Sequence, residues 1–279
     1  MQRRLSVLLL VLALAAGAGL SSAEEPSIRE YRVPAGSHPH DVAAAPDGSV
    51  WYTAQNAGAL GRLDPATGST RHISLGPGSS PHGVIVGPDG APWVTDSGRN
   101  AIIRVDPSTE KISVHPLPKE RGGANLNTAA FDGRGILWFT GQNGVYGRLD
   151  PRTGRIDVFD APGGRGPYGM AAAPDGSIYY ASLAGNHVAR IDTATGAATV
   201  IDPPTSRQGA RRVWSDSKGR VWVSDFGANA LVRFDPEKES FRTFPLPSRG
   251  ARVRQILGRK GEVWGAESGA DRLVVIRFP

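Results

Sequence analysis

PHGVIVGPDGAPWVTDSGRNAIIRVDPSTEKISVHPL, residues Pro81 to Leu117, reads as four short strands. They are Gly83–Val86, Pro92–Thr95, Ala101–Val105 and Ile112–Pro116. Each is apolar or β-branched, and each is bounded by Gly, Pro, Asn or Asp, which is the strand signal. Pro88-Asp89-Gly90 turns the first strand into the second, because Pro presets the turn and Gly supplies positive φ at little cost. Asp106-Pro107-Ser108-Thr109 turns the third into the fourth.

The stretch repeats. Trp93 has counterparts at Trp51, Trp138, Tyr179, Trp222 and Trp264, with successive spacings of 42, 45, 41, 43 and 42 residues. A period of about 42, with one aromatic on the second strand and two turns at fixed offsets, is the pattern of four-stranded propeller blades. The expected fold is all-β: a six-bladed β-propeller of four-stranded antiparallel blades. Blade one runs from about Ser37 to Leu75, two to Leu117, three to Asp160, four to Asp202 and five to Leu246. The last repeat, Arg252 to Pro279, holds only three strands, and Ser27–Pro34 is a lone strand before the first repeat. The N-terminal strand should complete the sixth blade, which closes the ring and removes an exposed edge.

Met1–Ala23 reads as a signal peptide. It has a basic start at Arg3 and Arg4, an uncharged apolar run from Leu5 to Leu20, and a small-residue cleavage site at Ser21-Ser22-Ala23. The apolar run is short for a membrane span of about 20 residues. Export to the periplasm or the extracellular space is expected, with Glu24 as the mature start and no membrane attachment after cleavage. Cysteine is absent, which excludes a lipoprotein anchor, disulfides and thiolate chemistry. Residues 24–279, about 256 in number, fill six blades of about 42 and leave no room for a second domain. The 36 glycines and 22 prolines are turn residues of a many-stranded fold. The net charge of +6 carries no dense Lys/Arg run with interleaved aromatics, so nucleic acid is not an expected partner. A monomer is expected, binding a small molecule or peptide at the top of its central channel.

Recurring residues point to structure. Asp64, Asp106, Asp150 and Asp235 each precede Pro in the turn from third to fourth strand and read as Asx-turn formers. The tryptophans, one per blade, read as packing between neighbouring blades. Function is sought where the repeats diverge, at the top of the channel. One such position lies eleven residues before the aromatic: His40, His82, Asn127, Tyr168, Arg211 and Val253, the last flanked by Arg252 and Arg254. The other lies three after it: Ala54, Asp96, Gly141, Ser182, Asp225 and Glu267. His40, His82, Asp96 and Glu267 are expected to cluster as catalytic groups. Two imidazoles and two carboxylates suit general-base work or a divalent ion, with Asp96, Asp225 and Glu267 as candidate metal ligands. Arg211, Arg212, Arg252 and Arg254 suit binding of a carboxylate, with Asn127 and Tyr168 completing the ligand site. A polar channel lining, hydrogen-bonded to water and turn backbone, is the competing reading of the same residues. His38, His72, His115 and His187 are expected on loops or outer strands.

The Pro-His-Asp-Val and Pro-His-Gly-Val starts, the Pro-Asp-Gly turns, Val-Trp-Tyr-Thr, Pro-Trp-Val-Thr-Asp and Ala-Leu-Gly-Arg-Leu-Asp-Pro resemble the repeats of the streptogramin B (virginiamycin B) lyase family. NHL-repeat and gluconolactonase-like propellers share the general look. The resemblance implies a carbon–oxygen lyase. A base removes the proton alpha to a carbonyl of a cyclic depsipeptide, a magnesium ion (or calcium) assists, and the ester oxygen leaves as carboxylate. The family's two histidines lie in its last two blades, where this chain has Arg211 and, approximately, Val253. Its strand-end acid is kept as Glu267. Its second acid is replaced by Ala251, and its ring has seven blades against the six counted here. A shifted set, His40, His82 and Asp96, with Ser80 at the second acid's place, lies in blades one and two. Two alternatives stay open: a non-catalytic ligand-binding propeller, and a gluconolactonase-like lactone hydrolase whose metal would rest on Asn127, Asp225 and Glu267.

Overall fold

Twenty-four strands form six separate four-stranded antiparallel sheets in the computed structural model, which describes residues 25–173, 176–185, 187–201, 213–216, 218, 220–225, 227–235 and 237–278. Among the described residues the helical content is two single 3-10 turns, Gln55–Ala57 and Lys119–Arg121. The leader, the Pro174-Asp175 part of one Pro-Asp-Gly turn, Arg211 and Arg212 lie outside the described residues.

The founding stretch forms strands at Pro81–Val86, Pro92–Asp96, Ala101–Val105 and Ile112–Pro116, paired in sequence order. The first begins two residues earlier than its apolar run, because Pro81 pairs with Asp96 beyond the expected start. Five blades share this order. The sixth is assembled from both ends of the chain: Ser27–Arg32 lies outermost, against Arg272–Arg277, and the inner strands are Glu262–Glu267 and Val253–Arg259. The register runs from Ser27 opposite Arg277 to Arg32 opposite Arg272, so closure uses the whole N-terminal strand.

The once-per-blade tryptophans pack between blades, whereas in blade four Tyr179 is half-buried and its neighbour Tyr180 is the core residue. Trp51 joins Leu60 and Ile73 of its own blade to Val84, Val94 and Ile103 of the next. Trp138 packs with Met170, Ile178 and Tyr180, and Trp264 with Val42, Val50 and Tyr52 across the closure. Trp51, Trp138, Trp222 and Trp264 are fully buried. Four indole N–H groups reach an acid a few residues before them: Trp93 donates to Asp89 at 3.3 Å, Trp138 to Asp132 at 3.1 Å, Trp222 to Asp216 at 2.9 Å and Trp264 to Glu262 at 2.8 Å. The Asp-Pro aspartates are Asx-turn formers: Asp64 accepts from the Ala66 N–H and Asp106 from the Ser108 N–H.

A second device joins the inner strands. The residue two after the aromatic is Thr53, Thr95 or Thr140 in the first three blades. Thr53 Oγ1 accepts from the Asp41 N–H at 2.9 Å and donates to the His82 carbonyl of the next blade at 2.8 Å. Thr95 links the Gly83 N–H to the Asn127 carbonyl, and Thr140 links the Thr128 N–H to the Tyr168 carbonyl. Each hydroxyl is buried and satisfied on both sides, so its loss strands a buried donor and acceptor. Thr53→Val should therefore lower the stability of the propeller by about 1–3 kcal/mol, read as a lower urea midpoint at unchanged slope.

Candidate functional site at the channel mouth

Each inner strand that pairs along its whole length slips register at its mouth end. The shift falls between Pro39 and Val42, Pro81 and Gly83, Leu126 and Ala129, Pro167 and Met170, and Val253 and Ile256. A bulge of this kind re-aims side chains next to a site. Here it falls on His40, His82, Asn127, Tyr168 and, in the sixth blade, Arg254. The sequence offset pointed to Val253. The turn from inner to second strand is one residue shorter in blade six, where Leu257 pairs with Trp264 and Ile85 pairs with Trp93 in blade two. The ring equivalent of His40 and His82 is therefore Arg254.

The two histidines meet. Their ring centroids are 3.8 Å apart at 47°, and both are buried. His40 Nδ1 lies 2.8 Å from Asp41 Oδ1. The Asp41 carboxylate holds the proton on that nitrogen and leaves Nε2 as the basic one. The Asn127 amide lies 3.1 Å from His82 Nε2 and donates to it, while Asn127 Oδ1 accepts from Thr128 Oγ1 at 2.9 Å. Tyr168 stands edge-on to His82 at 6.1 Å. Side chains of four consecutive inner strands thus form one line: Asp41, His40, His82, Asn127, then Tyr168. Gln255 of the sixth blade reaches across the closure and accepts from the Val42 N–H at 2.9 Å.

Asp41 was not foreseen. Alternation along a strand assigns it to the face opposite His40, and only the bulge brings it alongside. The available signal was the Asp of Pro-His-Asp-Val where the next blade has the Gly of Pro-His-Gly-Val.

The strand-end acids do not join this line, which corrects the expected four-residue cluster. Asp96 accepts from the Ser80 N–H at 2.9 Å, the Arg99 N–H at 3.1 Å and the Ser79 hydroxyl, so it fastens the loop entering its own blade. Asp225 accepts from the Ala228 N–H at 2.9 Å, as a turn former does. Glu267 is fully buried within the sixth blade, facing Glu30 of the N-terminal strand. Glu30 in turn accepts from the Ser248 N–H at 2.7 Å and the Ser248 hydroxyl at 2.9 Å, with Arg272 Nη1 at 3.5 Å. The three proposed metal ligands thus sit in three different blades, each in its own local network. Asn127 is held at His82, so the acid-and-asparagine set of a lactone hydrolase is not assembled either.

His40, Asp41 and His82 offer one ligand atom each within 4.8 Å of one another. Two imidazole nitrogens and one carboxylate oxygen do not fit magnesium or calcium, which take oxygen ligands. Among the described residues, the group that the resemblance implies has no matching donor set at this mouth. Of the other histidines, His72 and His115 lie on outer strands. His187 lies on a third strand, Ala189 and Ile191 of which are core, rather than on a loop or outer strand. His38 is on the loop before the first inner strand, where Asp271 accepts its backbone N–H at 2.8 Å. Burial, then the neighbouring charges of Arg254 and His40, hold the His38 imidazole below its ordinary value.

The fold and this mouth define a six-bladed propeller with a carboxylate-oriented histidine at the top of its channel. The chain belongs to the virginiamycin B lyase family, whose model matches residues 17–276. It is similar to a catalytically inactive virginiamycin B lyase from Staphylococcus aureus solved with quinupristin, at 22% identity and a TM-score of 0.64, over 91% of this chain and 100% of that one. A streptogramin B lyase structure matches at 20% identity and a TM-score of 0.65, over 91% and 98% of the two chains. A gluconolactonase from Xanthomonas campestris matches at 15% identity and a TM-score of 0.67, over 86% of each. At these identities the likeness to the solved structures is one of fold. No curated protein matches the chain in sequence.

Burial, then the charge of Glu30, pushes the Glu267 carboxyl up to about 8 from an ordinary 4.5. The folded chain keeps a proton that the unfolded chain releases above 4.5, so this contribution is full below that pH and is lost as pH rises to about 8. Glu267→Gln should flatten the fall in melting temperature across that window and raise stability above it, as read by thermal unfolding in a pH series.

Proposed function

We propose that this chain is an exported lyase of its family's type, which opens an ester or lactone by elimination with His40 as the base. The observation that carries the reading is the buried Asp41–His40 pair at the channel mouth. A carboxylate that fixes one imidazole nitrogen as donor leaves the other as acceptor, the arrangement a general base needs.

The reaction balances as follows. His40 takes the proton from the carbon alpha to a carbonyl. The electron pair forms the new carbon–carbon double bond. The β carbon–oxygen bond breaks, and the ester oxygen leaves as a carboxylate. His82, packed on His40 and fixed by Asn127, confines the base to one orientation and keeps water from its face. The family's reaction at this site runs on these side chains, without a step assigned to magnesium.

The test incubates the purified protein with a streptogramin B-type cyclic depsipeptide and follows the ring by chromatography and mass spectrometry, with and without chelator. Elimination changes retention at constant mass, and the reading expects it to persist in chelator. Hydrolysis adds the mass of water and would favour the lactone-hydrolase alternative. Untouched substrate would leave a binding propeller. His40→Ala and Asp41→Asn should each cut turnover by about a hundredfold or more, the scale of a positioned general base.

A further inference from the structure

The sixth-blade member of the inward ring is a cation. Arg254 is partly buried, and its Nε donates to Ser268 Oγ at 3.2 Å. Among the described residues that neutral hydroxyl is its hydrogen-bond partner, and no carboxylate lies within ion-pair reach of it. Several other partly buried arginines are neutralised by a carboxylate, while Arg99, on the Leu75 carbonyl, and Arg233 have no ion pair among the described residues. Arg62 pairs with Asp47 at 2.9 Å, Arg104 with Asp89 at 2.7 Å, Arg148 with Asp157 at 2.9 Å and Arg220 with Asp216 at 2.7 Å. The nearby acid, Asp271, is already occupied by the N–H groups of Gly36 and His38, each at 2.8 Å.

A guanidinium withdrawn from water without an anion is costly, and its planar fork matches a carboxylate bidentately. With Nε on Ser268, both terminal nitrogens of Arg254 remain for a ligand. The position is one blade from His40, and the charge of Arg254 reaches His38 on the loop between them. The inner strands of these two blades are tied directly by the bond from the Val42 N–H to Gln255 Oε1.

We propose that Arg254 is an anion receptor of the channel, and that the natural ligand is an acid-bearing ester or lactone whose carboxylate it grips beside His40. This rests on the elimination reading for the position of the reacting bond, but not for binding.

The probes are paraconate, a five-membered lactone bearing a carboxylate, and its neutral methyl ester. Binding of each to the purified protein is measured by calorimetric titration, and turnover by mass spectrometry. The native protein should bind paraconate at least about tenfold more tightly than the ester, the scale of one charge-assisted pair. Arg254→Ala should erase the preference, Arg254→Lys should keep part of it, and the exposed control Arg249→Ala should keep all of it. Unchanged melting of Arg254→Lys keeps the comparison valid if the alanine variant unfolds. Equal affinities in the native protein, a preference that survives Arg254→Ala, or no binding of either probe would overturn the proposal. Paraconate bound with preference but not opened to its same-mass isomer, itaconate, would support the receptor and sink the lyase reading.

Discussion

The molecule depends on one pairing, that of the N-terminal strand Ser27–Arg32 with Arg272–Arg277. Six blades have two ends, and without this pairing both the sixth blade and the ring are open. The pairing does more than seal an edge. It carries Glu30 over Glu267 and Ser248, and Tyr31 against Trp264. It also brings the first and last inner strands together, where Gln255 accepts from Val42. The candidate site lies where the sixth and first blades meet, with Arg254 on one side and His40 and Asp41 on the other.

From the seam, geometry is handed round the channel by hydroxyls. Thr53, Thr95 and Thr140 each hold the carbonyl of the next blade's channel residue. These bonds fix the backbone of His82, Asn127 and Tyr168, while the bulges set the direction of their side chains. Ala266 takes the threonine's place in blade six and supplies no hydroxyl for His40. His40 is held instead through its side chain, by Asp41.

Most of the fold was legible because a propeller repeats its physics. Each tryptophan is buried between blades, and each Asp-Pro turn closes the same hairpin, so weak signals add. The three-stranded ending and the lone N-terminal strand gave the closure. The site was legible only in part, because it is where the repeats differ. His40, His82, Asn127 and Tyr168 came from a fixed offset, and the structure keeps that offset in their blades. Arg254 was displaced by one because a single shortened turn breaks the count in blade six. Asp41 was hidden by strand alternation, which a bulge suspends. Asp96 and Glu267 misled in the opposite way. A carboxylate at a strand end near a channel looks catalytic in sequence. The backbone N–H groups of Ser80 and Arg99 claim Asp96, and the N-terminal strand covers Glu267.

Asp41 and Asn127 fix both imidazoles in one tautomer, leaving Nε2 the basic nitrogen of each. Free histidine favours the opposite tautomer, so the two states are distinguishable. The most direct measurement is heteronuclear NMR on protein with nitrogen-labelled imidazole rings, with signals assigned through His40→Ala and His82→Ala. The account predicts that His40 and His82 both carry their proton on Nδ1 in the neutral state, and that Asp41→Asn changes His40 alone. A proton on Nε2 of His40 in the native protein would contradict it.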